Sequence, residues 1–418
     1  MTNTSIDEST IKEAATLFGT PLLCYEHSEL EKYSLSLRDA LPTQSTLVYS
    51  VKAGPNSYII KYLCEQNILF ETASEGELAY LLSLGISPLK IIVSGQGKTQ
   101  EYFQLAISSG VTKYNLESIN ELHILKKMNL KLKINCSIRI NPDFSNHRSV
   151  LKMGGIASPF GIDEREVYKL LKGDDKHWIN GIFMYAGSQY FNSEDIIYNT
   201  RYLFELCIDI YKAVGKKFEY IDFGGGFGVP EDDRDGELNL LELKKNMYNL
   251  FQDYISEKAF ENVKKYFFES GRYISARTAV LITKVLDIKE SKGEKFVITD
   301  MGINSLGVKQ YEYRIYSPVV KEMVKREPME YYTIVGRTCT PIDQTHPKVR
   351  LHRVCIGDLL YISDCGAYSV SFSPNNFCGL RRVSEIVHRN NKFIITNRQE
   401  SCEEVYGRTL IENDFNSR

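Results

Sequence analysis

LVYSVKAGP, residues 47–55, is a short apolar and β-branched run that carries one lysine, Lys52, and is then broken by Gly54 and Pro55. Such a run reads as a buried strand, closed by the Gly-Pro pair before a helical pattern starts. One amine is therefore expected at the C-terminal end of a buried strand. Withdrawn from water, that amine would favour its neutral form, and a neutral amine on a rigid element can condense with an aldehyde. A strand-end lysine can equally point to solvent, so the remainder of the chain has to discriminate.

Outward from this stretch a rhythm appears. Strand-like runs recur at residues 47–51, 68–73, 90–95, 111–116, 133–140, 181–187, 219–224 and 264–270, with helical periodicity between them and Gly or polar stops after each. Eight strands alternating with helices predict an α/β fold, a (β/α)8 TIM barrel closed by right-handed parallel crossovers. After residue 275 the runs TAVLITKVLDI, KFVITD, YYTIVG, DLLYISD and KFIITN are separated by turns, which predicts a mostly antiparallel C-terminal β domain. A helix is expected over 6–17, and TPLLCYE, residues 20–26, reads as a strand that joins the second domain. The expected division is a barrel over 28–275 and a β-sandwich or β-barrel-like domain built from 1–27 plus 276–418.

The 418 residues include 51 basic and 53 acidic side chains, a balance that argues against nucleic acid or an anionic membrane as partner. No apolar run is long enough to span a bilayer and no signal-like start is seen, so a cytoplasmic protein is expected. Nine cysteines without a CxxC pair point to free thiols rather than a disulfide frame or a zinc site, and no metal is expected.

Unusual residues gather at the C-terminal ends of the eight runs, where barrel active sites are built. They are Lys52, Glu71 with Ser74, Ser94-Gly95, Asn115 with Glu117, Arg139 to Asn141, Tyr185 with Gly187-Ser188, Gly224 to Gly226, and Glu269 with Gly271 and Arg272. The loops after the seventh and eighth runs, FGGGFG and ESGR, are where barrels commonly bind phosphate. Three consecutive glycines, Gly224, Gly225 and Gly226, let backbone N–H groups approach an anion, and Arg272 adds a charged donor. In the second domain GRTCTPID carries Cys339 and Asp343, and GAYSVSFSPNNF carries Tyr368. Cys339 can also be read as a small apolar residue and Tyr368 as a core aromatic.

In this order the motifs resemble those of the alanine-racemase-like, fold-type-III pyridoxal-phosphate decarboxylases, the family of diaminopimelate and ornithine decarboxylases. The likeness runs from TPLLCYE to GAYSVSF. It implies pyridoxal 5'-phosphate as cofactor, held covalently by Lys52 of YSVKA. It further implies that the GGGFG turn, Ser188 of GSQ and Tyr368 of GAY bind the cofactor phosphate, and that Glu269 of ESGR pairs with the pyridine nitrogen. By the same likeness Cys339 acts across a homodimer interface on the partner subunit's cofactor, in an active site shared between two protomers. Glu71, Arg139, Gly271 and Arg272 join the cofactor-binding candidates, and Thr340 and Asp343 are the substrate-facing ones. A carboxylate at the pyridine nitrogen keeps it protonated, so that the ring accepts the electron pair released with carbon dioxide. A thiol is a reasonable donor for the proton that returns to the α-carbon.

Three positions depart from the family pattern. Tyr185 of GIFMYAGSQ stands where a ring-stacking histidine is usual, which retains an aromatic face and loses a titratable one. Thr340 replaces a glutamate, and Val308 of DMGINSLGVK replaces an arginine, that read the far end of diaminopimelate. The pattern is nearer to a branch found in natural-product and siderophore pathways, one member of which, in the butirosin pathway, decarboxylates a glutamyl group on an acyl-carrier protein. A carrier-linked or conjugated aminoacyl substrate would not need a tight distal clamp, because the carrier supplies positioning. The alternatives are decarboxylation of diaminopimelate or another free basic amino acid, racemisation, and a cofactor-free regulatory homologue. Racemisation needs two opposed bases, and a regulatory homologue need not keep the site residues that are present here.

Overall fold

A computed structural model of the chain describes residues 6–128, 133–144, 151–230, 236–307 and 320–407. The chain divides into two compact units, residues 31–274 and residues 1–30 with 275–418.

In the first of these, eight parallel strands close into a ring: Ser45–Ser50, Leu69–Thr72, Ile91–Val93, Lys113–Leu116, Asn135–Asn141, Ile179–Met184, Tyr220–Asp222 and Lys265–Ser270. The last pairs with the first, Phe268 opposite Leu47, which completes the expected (β/α)8 barrel. Each expected run contains one strand, trimmed where glycine or polar residues begin the next loop. The difference that matters lies in the first run, where the strand stops at Ser50 and Val51–Ala53 forms one turn of 3-10 helix. Tyr49 fixes this turn by donating its hydroxyl to the Gly54 carbonyl at 3.0 Å. Lys52 thus rides on a tight turn beyond the strand.

Helix entry accounts for several of the polar strand-end residues. Asn56, Ser74, Thr99 and Ser118 each accept a hydrogen bond from the backbone N–H of the first helical turn that follows, which satisfies a donor the helix cannot satisfy itself. Ser74, one of the strand-end candidates, is therefore a helix cap. Ser94 accepts from the Asn115 amide at 3.0 Å, a link between neighbouring strand ends.

Behind the strands that carry FGGGFG and ESGR lies an aromatic cluster centred on Phe204 of the helix Ser193–Val214. Phe204 is fully buried, with ring centroids of Phe223, Phe251, Tyr254 and Phe260 all within 5.1 Å. Those rings come from the helix Leu240–Tyr254, the end of the strand Tyr220–Asp222 and the 3-10 turn Lys258–Phe260, so one side chain pins the outer layer against the last two strands. A second support is ionic. Lys98 and Glu121, 1% and 3% exposed, pair at 2.8 Å, and Glu121 also accepts the backbone N–H groups of Lys98 and Glu117. Burial pulls the Lys98 ammonium below its ordinary pKa while Glu121 opposes that shift. A buried charge is tolerated only when its partner and hydrogen bonds are both in place.

The other unit is a mostly antiparallel sheet, ordered Gln344–His352, Met329–Val335, Glu294–Thr299, Ala279–Ser291, Leu22–Glu26, Ser384–Arg389 and Lys392–Asn397, with Leu359–Ile362 also paired to Ala279–Ser291. As expected, the early strand joins this sheet: Leu22–Glu26 runs antiparallel to Ala279–Ser291 and parallel to Ser384–Arg389. Ile11 and Ala14 of the helix Glu8–Phe18 pack with Leu22, Val280, Ile282 and Ile386 to form its core. Three strands escape the sequence reading, the first being the short Val320–Glu322, which pairs with Leu359–Ile362. Gln344–His352 is a polar edge strand containing Pro347, and Ser384–Arg389 is masked by its charged ends.

Two stability measurements follow from this packing. Phe204→Ala should destabilise residues 31–274 by about 3–5 kcal/mol through the cavity it leaves, read as a loss of thermal midpoint against Leu241→Ala, an exposed control. Glu121→Ala should cost about 3–5 kcal/mol because Lys98 is left charged and unpaired, and Lys98→Met combined with Glu121→Leu should recover part of that loss in the same denaturation assay.

Candidate active site

Lys52 Nζ lies 2.6 Å from Glu71 Oε2, and the two side chains are 43% and 5% exposed. The pairing follows from register, since Ser50 stands opposite Glu71 on the adjacent strand and the following turn swings Lys52 back over it. This corrects the expectation of an amine withdrawn from water. Lys52 is reachable from solvent, and the buried member of the pair is the carboxylate.

Arg139, on Asn135–Asn141, donates from one guanidinium nitrogen to Glu117 Oε1 at 2.7 Å. Glu117 is held in turn by the Gly161 N–H on its other oxygen at 2.8 Å. The guanidinium carbon of Arg139 lies 4.9 Å from the ring centroid of Phe160, 5.4 Å from that of Phe183 and 5.9 Å from that of Tyr185. Its second terminal nitrogen is buried without a hydrogen-bond partner. A buried donor left open in this way fits an acceptor brought by a ligand. Tyr185 follows the strand Ile179–Met184 directly and lies beside the glycine turn: a Cβ on Gly224 would come within 3.0 Å of its ring.

The glycine turn is locked by geometry. Gly224 and Gly226 have φ of +65° and +100°, in the region that favours glycine. A Cβ on Gly225 would stand 2.0 Å from the Glu269 carbonyl oxygen. Tyr190 N–H donates to the Gly226 carbonyl at 2.8 Å and Gly228 N–H to the Tyr190 carbonyl at 3.0 Å, so the GSQY segment is zipped onto the turn. Ser188 lies in that segment, paired with Leu151 in a short two-strand ladder. Its neighbour Gln189 exchanges two hydrogen bonds with the Val229 backbone, both at 3.0 Å, a clamp the sequence reading missed.

Glu269, on the adjacent strand, is 6% exposed, and its Oε1 is buried without a hydrogen-bond partner. Burial pushes its carboxyl well above the ordinary range, Asp222 and Glu71 push it further, and Lys52 and Arg139 oppose them. Asp222 is the other residue missed. It closes the strand Tyr220–Asp222, is 2% exposed, and burial raises its carboxyl to about 7 against the opposing hydrogen bond from Gly224. The available signal was an acid at the end of an apolar strand, immediately before the glycines. Gly271 and Arg272 are buried just past Glu269, and Arg272 opens the short helix Arg272–Ser275.

The remaining candidates lie in the unit of residues 1–30 and 275–418. Cys339 is exposed, its backbone N–H 3.5 Å from the Cys378 sulfur, and Thr340 is half-buried beside it. Asp343, a substrate-facing candidate by sequence, is buried, and both its carboxylate oxygens are taken by its own unit. Ile303 N–H donates to one at 2.8 Å, and the N–H and hydroxyl of Thr338 donate to the other at 2.8 and 2.5 Å. Tyr368 is half-buried with φ of +55°, an unusual conformation for a bulky residue. Val308 lies outside the described residues.

Residues 27–276 match the model of the pyridoxal-dependent decarboxylase family's pyridoxal-binding domain. The L-glutamyl-[BtrI acyl-carrier protein] decarboxylase of Niallia circulans is 32% identical, with 99% of this chain and 98% of that protein covered. The diaminopimelate decarboxylase of Aquifex aeolicus is 29% identical, with 95% and 93% covered. The crystal structure of diaminopimelate decarboxylase from Helicobacter pylori complexed with L-lysine has the same fold, with a TM-score of 0.84 at 24% identity over 95% of this chain and 98% of that one. A barrel whose last two strand ends present a glycine cradle and a buried acid, matched over its length to this family model, makes the chain a member of the pyridoxal-dependent decarboxylases.

Proposed function

We propose that the protein removes the α-carboxylate of an aminoacyl group, with a glutamyl group carried on an acyl-carrier protein as the leading substrate. The observation that carries the reading is Glu269, a buried acid with an open oxygen at the foot of a glycine turn whose middle residue admits no Cβ. Together with the open Arg139 nitrogen and the accessible Lys52, these residues fit pyridoxal 5'-phosphate. When bound, the cofactor supplies an aldehyde for the lysine and a ring that takes up the electron pair left as carbon dioxide departs.

The chain's own groups then divide the work. Lys52 would hold the cofactor's aldehyde carbon, and Glu71, at 2.6 Å from its Nζ, keeps the amine in place. Gly225 and Gly226 would offer backbone donors to the phosphate, the Gly224 N–H being taken by Asp222, and Ser188, Gly271, Arg272 and Tyr368 are the further candidates for it. Tyr185 lies against a ring face. Glu269 holds a proton on the pyridine nitrogen, and electrostatic stabilisation of this kind is usually the largest catalytic contribution. Cys339 returns the proton to the α-carbon, in a homodimer whose two protomers share the site. Thr340 takes the position beside Cys339 from which the far end of the substrate would be read, and it carries no charge. This supports a substrate positioned by its carrier rather than by a distal ion pair, as does the full-length likeness to a decarboxylase named for a carrier-bound glutamyl group.

Lys52→Ala should abolish the visible absorption band of the loaded protein. Gly225→Ala should weaken cofactor binding by at least about tenfold, since the new methyl group must displace the Glu269 backbone. Cys339→Ala should keep the band and slow turnover about 100-fold or more, with carbon dioxide release outpacing correct protonation. Release of carbon dioxide from carrier-linked glutamate, free glutamate, diaminopimelate, lysine and ornithine tests the substrate. Preference for the carrier-linked form supports the proposal, and equal or greater turnover of free diaminopimelate replaces it with the second reading that the diaminopimelate decarboxylase relatives favour.

A further inference from the structure

The peptide of Gly224 sits between two buried acids. Its N–H donates to Asp222 Oδ1 at 2.9 Å, and its carbonyl accepts the N–H of Glu269 at 2.6 Å. The strands that carry the acids are neighbours in the barrel, Asp222 standing opposite Phe267. Asp222 Oδ2 and Glu269 Oε1 are both buried and without a hydrogen-bond partner. Phe267, the register partner of Asp222, is two residues before Glu269 on the same face of its strand, so the two acids are diagonal neighbours, and a single proton shared between them supplies the donor that both lack. Like charges at such a distance cannot both be carried, so one carboxyl of the two keeps its proton.

The geometry points to Asp222 as a positioning residue for Glu269: the two acids hold one proton in common, carried on Glu269 in the cofactor-free chain and on Asp222 once a protonated pyridine nitrogen claims the Glu269 charge. A carboxylate oxygen accepts more than one hydrogen bond, so Glu269 can then take both the Asp222 O–H and the pyridine N–H. The inference deepens the proposed function and rests on the cofactor reading. The other groups that face the pair are Glu71 and Asn115, from adjacent strands, with Lys52 and Arg139 as the opposing cations.

The sign of the effect can be worked out. A carboxyl raised by burial binds its proton more tightly in the folded chain than in the unfolded one. The wild-type protein therefore loses stability as pH climbs from the ordinary carboxylate range, about 4, to about 7, the value to which Asp222 is raised. Above that the loss is constant. Asp222→Asn removes this contribution and keeps an N–H donor for Glu269. In the cofactor-free full chain its thermal midpoint should exceed that of wild type at pH 8, with the gap closing by pH 5; Glu71, Lys52 and Arg139 keep their places, and Glu269 loses the Asp222 charge that raises its carboxyl. In the loaded protein the second negative charge that Asp222 acquires at high pH helps the pyridine nitrogen hold its proton. The alkaline transition of the visible band should therefore move down by about one pH unit in Asp222→Asn.

A midpoint gap that does not vary with pH, or a band transition that stays in place, overturns the inference. Should Asp222→Asn not fold, the infrared spectrum of the wild-type cofactor-free chain decides: a protonated carboxyl band persisting at pH 7 supports the shared proton, and its absence rejects it. A wild-type protein that gives no visible band with pyridoxal 5'-phosphate sinks the cofactor reading and the positioning role together. The pH dependence of the cofactor-free midpoint then still separates that failure from failure of the acid pair itself.

Discussion

Two buried carboxyl groups, each with one oxygen that no protein hydrogen bond satisfies, flank the glycine turn between the last two barrel strands and are the constraint on which the rest of the candidate site depends. Neither acid can be buried comfortably alone, and each is fixed to opposite ends of the Gly224 peptide. The turn must then be glycine three times over, because Met184, Glu269 and Gly187 place carbonyl oxygens within 2.5 Å of where each side chain would begin. Sequence, backbone path and electrostatics are one arrangement here. The bare turn exists because the acids are close, and the acids stay close because the turn is bare.

Support for that arrangement is graded from the outside inward. The ring cluster around Phe204 is apolar and fixes the outer helices behind the two decisive strands. The Lys98–Glu121 pair is ionic and closed, with its charges spent on each other and on backbone. The Arg139–Glu117 pair is ionic and open, because one guanidinium nitrogen remains for something else. An ion pair that is complete stabilises the scaffold, whereas one left incomplete in a dry place stores affinity for a ligand.

Most of the barrel is legible in the chain because buried parallel strands are nearly uniformly apolar and several are followed by a helix cap such as Ser74 or Ser118. The edge strand Gln344–His352 is not, since its outward residues are polar and a proline interrupts it. The glycine turn and Glu269 can be found as motifs. The solvent access of Lys52 cannot, because it depends on a partner 19 residues away and on a strand that stops two residues early. Asp222 hides for a different reason: one acid in an apolar run is ordinary until Glu269, two residues beyond its register partner Phe267, turns out to be another. Asp343 shows the converse, a charged residue near Cys339 in the chain whose carboxylate oxygens are occupied by Ile303 and Thr338.

That occupation has an evolutionary reading. Asp343 ties off both ends of a small noose, gripping Thr338 at one end and accepting the N–H of Gly336 on its own carbonyl at the other. Cys339 rides on the noose, and Thr340 helps close it mainly through its backbone, the carbonyl accepting the Asp343 N–H at 3.2 Å. The side chain at position 340 can therefore be exchanged while the Asp343 grip on Ile303, Gly336 and Thr338 keeps its shape.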